Sequence, residues 1–217
     1  MKFRRQFIAI ALILGTSITG LGSLSSESEQ RERLRLLRAR AFKQTSLTEL
    51  DRAYLDALLV LSEQNTCSGF FGGSGSIDVL EELVIKLRTT SCNDTRIGMR
   101  MSGPFTSFVT SETGISYRLF KETELNTAGP FYKSKTFAAE PFVPNVGSFR
   151  PNTREARVLI LLHELAHLVK GSDGAWLIPD DGGNAQLSRS NTLMVESKCG
   201  QQIRARVKTD AGRGGNA

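Results

Sequence analysis

The hydrophobic positions of this chain follow two periods, and the switch between them divides it. Leu50, Tyr54, Leu58 and Leu61 recur at helical spacing, and Ser46 with Glu49 forms a capping box. Together they predict a helix from Leu47 to about Glu63. A second helix runs from Ile77 to about Arg88, opened by Asp78 with Glu81. The segment between them, Cys67 followed by glycine-rich residues 68–75, reads as a connector. It lacks the Lys-Ser/Thr and the preceding strand of a phosphate loop. From Arg96 to about Phe149 the texture turns to β: residues 97–101 alternate, and 106–110 and 115–120 are rich in strand formers. Phe131-Tyr132 and Thr136-Phe137 suggest more, with Gly103-Pro104, Glu112-Thr113-Gly114 and Gly129-Pro130 as punctuation. The expectation is a small twisted sheet of three to five strands, partly antiparallel because its turns are short.

The helical period returns from Thr153 to Lys170, between a box-like Asn152/Glu155 start and Gly171 as a left-handed stop. A loop over 173–183 carries three aspartates. A last helix, about Ser190 to Lys208, places Val195, Cys199, Ile203 and Val207 on one stripe that must bury. The pattern predicts an α+β fold in a single domain over residues 46–208, with 209–217 as a flexible, glycine-rich tail.

Before this body lie two unlike segments. Lys2, Arg4 and Arg5, the apolar run Phe7 to Leu14, and small residues to about Leu24 read as a signal peptide over 1–24, so the expected location is secreted or periplasmic. The run is too short to span a bilayer, and no stable membrane span is expected once it is removed. Residues 25–45 are charge-dense, with five arginines around Leu34, Leu36 and Leu37, and suit a solvated helix, a linker or a pro-segment. Membrane-surface contact is the weaker reading.

Charge then corrects a first impression. A net +6 over 217 residues and a pI near 9.5 suggest nucleic acid. However, residues 1–43 hold nine basic and three acidic groups, and residues 44–217 hold nineteen of each. A neutral body has little with which to release counterions from phosphate, so no nucleic-acid partner is expected.

The chemistry concentrates in His163-Glu164-Leu165-Ala166-His167, which contains both histidines of the chain and sits in an apolar helix. Histidines four apart on a helix share one face, their Cβ atoms about 5–6 Å apart, and both imidazoles can reach one Zn²⁺. Glu164 is placed to act as a general base on water activated at such an ion.

With these residues the chain resembles the zincin metallopeptidases, a likeness that covers about residues 153–170. It implies a zincin-like fold, a small sheet beside the HExxH helix, with His163 and His167 as zinc ligands, Glu164 as catalytic base and a peptide or protein substrate. A third ligand should come from downstream. The metzincin spacing points to Asp173, although glycine falls at 171 rather than at Lys170. The gluzincin arrangement points to Glu196, without its usual later aspartate. The aspzincin arrangement points to Asp180 or Asp181. Asp181 is the favoured choice: Pro179 stiffens its approach and Gly182-Gly183 lets the chain turn away. The alternative is a non-catalytic, metal-stabilised envelope or binding protein using the same residues. A further one has both histidines in the core without metal.

Export makes a disulfide plausible. Cys67, Cys92 and Cys199 allow three pairings, of which Cys67–Cys92 is the local one.

Overall fold

The computed structural model describes residues 27–40, 47–134 and 142–213. The signal-peptide segment, the Ser46 cap and the Thr136-Phe137 strand therefore lie outside the described residues. Among these residues the chain is α+β, with six helices and one three-stranded mixed sheet.

The metal-motif helix, α5 (Arg154–Leu168), lies at the centre, with every residue from Val158 to Leu168 buried. Its N-cap is Thr153, whose hydroxyl accepts from Ala156 N–H, rather than Asn152. Asn152 instead takes a left-handed conformation, φ 60°, and its side chain accepts from Arg157. The helix also stops before Lys170. Val169 is extended and bridges Tyr117, and Lys170 N–H donates to the Ser116 carbonyl, so pairing with the sheet ends the helix. Gly171 is therefore not the left-handed terminator expected.

The sheet has the order β1 (Arg88–Thr90), β3 (Ser116–Asn126), β2 (Met99–Val109). β1 runs parallel and β2 antiparallel to β3. The two β-prone stretches over 97–110 form one strand, irregular between Ser102 and Phe105, where Gly103 at φ +80° precedes Pro104. Arg88, expected at a helix end, begins β1. Phe131-Tyr132 forms a turn rather than a strand, with Phe131 fully buried. Helix and sheet approach closely at Gly98, where an added Cβ would stand 2.9 Å from Ile160.

Around α5 pack α2 (Glu49–Ser62), capped by Thr48, and α4 (Ser76–Lys86), which starts at Gly75 without the Asp78 cap. The connector holds a short helix, α3 (Thr66–Phe70), with Asn65 and Ser68 in a reciprocal cap. Helix α6 (Ala185–Arg213) begins five residues earlier than its apolar stripe predicts, because Asn184 accepts from Gln186 and Leu187 N–H. Val195, Cys199 and Ile203 are buried as expected, while the helix runs on into the supposed tail.

The charged segment is docked. In α1 (Glu27–Arg40), Leu34 and Leu37 are buried. Arg31 pairs with Glu82, Arg33 with Asp51, and Arg38 with Glu81 and the Tyr54 hydroxyl. Three of the five arginines expected to face solvent answer acidic groups on α2 and α4. The disulfide joins Cys67 to Cys199, tying α3 to α6, and Cys92 is free. The local pairing with Cys92 is thus not the one formed. Among the described residues no helix is long and apolar enough to cross a membrane.

Candidate metal centre

The spacing of four on α5 sets His163 and His167 side by side, with Nε2 atoms 3.1 Å apart and ring centroids 4.8 Å apart. The loop after α5 turns back through a bridge between Lys170 and Trp176 and brings Asp181 over the pair. Asp181 Oδ2 lies 3.3 Å from His163 Nε2, and Oδ1 lies 3.5 Å from His167 Nε2. Ligand atoms of the three residues all fall within 4.8 Å of one another, and the group can hold a metal ion.

The other downstream carboxylates go elsewhere. Asp173 accepts from Ala175 N–H inside its own turn. Asp180 pairs with Arg118. Glu196 accepts from Ser148 and Arg204, holding the 146–149 turn against α6. The loop aspartate with the longer tether is the one that reaches the histidines.

Three residues of α6 that the sequence reading missed grip this set. Ser188, Asn191 and Thr192 stand at i, i+3 and i+4 and so share a face. Ser188 lies beside Asp181 and helps to hold its carboxyl down. Asn191, itself buried, donates from Nδ2 to Asp181 Oδ1 at 2.7 Å and to the Pro179 carbonyl at 2.8 Å. Thr192 Oγ1 lies 3.1 Å from His163 Nδ1.

Hydrogen accounting at Thr192 tests whether a cation fits. The hydroxyl has one hydrogen, and it donates that hydrogen to the Ser188 carbonyl at 2.8 Å. With the hydrogen on the nearer Ser188 carbonyl, Thr192 accepts from His163 Nδ1–H, and Nε2 of a neutral His163 is left with a lone pair. That lone pair faces the Asp181 Oδ2 lone pairs at 3.3 Å. Two acceptors at this distance attract only with a proton or metal ion between them. The donor set, two imidazole nitrogens and one carboxylate oxygen, is one that zinc takes.

Without a metal ion a proton takes its place: burial raises Asp181, but hydrogen bonds from protonated His163 and His167, with Ser188, outweigh it and hold the carboxyl well below its usual range. Burial lowers His167, and Asp181 with Glu164 and Asp180 reverses the sign, so its pKa is raised. Burial pushes Glu164 up, against the pull of His163 and His167. None of the three tyrosines makes a described contact with the histidine pair. Tyr54 meets Arg38, Tyr117 stacks on Phe108, and Tyr132 lies against Phe131.

Compared with protein-family models, curated proteins and solved structures, the chain matches none.

Proposed function

We propose that this chain is an exported, zincin-like, zinc-dependent hydrolase that cleaves peptide bonds. In this reading His163, His167 and Asp181 hold the ion and Glu164 is the general base. The observation that carries it is the convergence of both motif histidines and a loop aspartate, with the lone pairs of His163 Nε2 and Asp181 Oδ2 turned toward one point. Three protein ligands leave a coordination position open, as catalytic sites do and closed structural sites do not. When bound there, zinc supplies Lewis acidity toward a carbonyl oxygen and acidifies water.

The chain's own residues supply the rest. Glu164 follows His163 directly and is almost wholly buried, and burial raises its pKa. A base in this position would take the proton of the attacking water and return it to the departing amine. Thr192 and Asn191 hold His163 and Asp181 in place, so the ligand set is arranged before substrate arrives. β2 is an edge strand, and its Ser107 pairs with Arg118, which touches both His167 and Asp180. An extended peptide could pair with that edge by strand addition, which favours a peptide substrate. The Cys67–Cys199 disulfide supports export to an oxidising compartment.

The test is zinc content and hydrolysis of a peptide library by the untagged chain. Glu164→Gln is expected to keep about one zinc per chain and lose at least ~10²-fold in rate, while His163→Ala loses both. A Gln variant as fast as the parent would remove Glu164 from the chemistry. Zinc without hydrolysis in the parent would favour the non-catalytic alternative.

A further inference from the structure

We propose that Arg118 is a positioning residue for this centre, acting on His167 and on the Asp181 loop through Asp180. The inference rests on the metal-dependent reading above.

Arg118 sits on β3 with its side chain 3% exposed, and it has three kinds of attachment. Nε donates to the backbone carbonyl of His167 at 2.9 Å. Nη1 donates to Asp180 Oδ2 at 3.1 Å, and Nη2 donates to Oδ1, so the fork closes on both carboxylate oxygens. The planar carbon lies 4.1 Å from the Trp176 ring centroid, 5.0 Å from Phe120 and 5.2 Å from Phe105. One buried cation thus fastens the sheet, the end of α5 and the loop that returns over it. A buried guanidinium is costly unless paired. The residue that pairs it is the immediate neighbour of Asp181 in the chain, so its demand for a partner fixes where the loop crosses.

A second observation gives this a chemical direction. His167 Nδ1 is buried and has no hydrogen-bond partner. A histidine that binds metal through Nε2 carries its proton on Nδ1, and that N–H needs an acceptor to set the ring. Asp180 Oδ1 lies 4.0 Å from Nδ1. A small rotation or one bridging water closes that gap, and Arg118 keeps the carboxylate where either can happen. On His163 the same task falls to Thr192. With that gap closed, each histidine has its own acceptor, one supplied by α6 and the other by the Arg118–Asp180 pair.

The experiment is zinc affinity of the full chain, by competition with a chromophoric chelator, with the melting temperature of each metal-free protein measured alongside. Asp180→Asn and Arg118→Met are each expected to weaken zinc about 10–100-fold. The double variant should lose no more than the worse single, because both act along one path, and Asp180→Glu should recover part of the loss. Asp173→Asn should leave affinity unchanged. A pair that is merely structural would lower the melting temperature and leave zinc affinity alone. Asp180→Asn binding within about 3-fold of the parent, or losses that multiply in the double variant, would overturn the inference. If Arg118→Met does not fold, Arg118→Lys, which keeps the charge but not the fork, takes its place. Emission from Trp176, the one tryptophan, reports whether the loop still stacks. A parent that binds no zinc sinks the metal reading and the inference with it. A parent that binds, with unmoved variants, sinks the inference alone.

Discussion

A single hydroxyl hydrogen decides much of the chemistry. When Thr192 gives it to the Ser188 carbonyl, the hydroxyl accepts from His163, and the imidazole is left with its lone pair directed at Asp181. Thr192→Val removes that acceptor while keeping shape, and it leaves His163 Nδ1–H without its partner. Zinc affinity is expected to fall about 10–100-fold, and Thr192→Ser is expected to stay near the parent. Equal affinity for the valine and serine variants would show that the tautomer is not set here. Asn191 does for Asp181 what Thr192 does for His163, by occupying Oδ1 and leaving Oδ2 directed at the histidine.

These contacts bear on what could be read in advance. The spacing of His163 and His167 on one helical face was legible, since an i, i+4 pair meets whatever the helix packs against. The approach of Asp181 to the histidine pair was reachable from chain length and turn chemistry. The grip of α6 was not, because its start was placed at Ser190 by the apolar stripe, which put Ser188 outside the helix. The Asn184 cap that starts it earlier is a polar, local signal. The end of α5 was misread for the opposite reason: a long-range pairing of Val169 with Tyr117 stops the helix before any local terminator acts. The docking of α1 was hidden too, since arginines look solvated until the acids on α2 and α4 are folded opposite them. That docking is testable at Tyr54. Burial pushes its phenol up from the usual 10 to about 12, against the pull of Arg38. The folded state then holds a proton that the unfolded chain has released, so stability is expected to fall as pH rises from about 10 to about 12. Phenolate absorbance should lag behind that of the urea-unfolded chain. Tyr54 titrating near its ordinary value would mean that α1 does not cover the core.

The buried core runs without a break from Leu34 on α1 to Ile203 on α6, with α5 in its middle, so the centre rests on packing drawn from both ends of the described chain. The α+β character and the small sheet were foreseeable from the change of hydrophobic period; the partner of Cys67 was not, because 132 residues of intervening chain leave no local trace of which thiols meet. That bond has a topological meaning. It makes residues 67 to 199 a closed covalent ring, and every candidate ligand and every residue that grips one lies within it. A single cut in a ring does not release a piece. Glu112, on the exposed turn between β2 and β3, offers a place to make that cut. Limited cleavage there by a glutamate-specific protease should leave a species that migrates without reductant as one linked molecule and with reductant as two. Before reduction the nicked chain should retain its zinc, and two separate fragments in the absence of reductant would show that the ring is not closed in solution. Under the proposed export, backbone scission and loss of the centre become separate events.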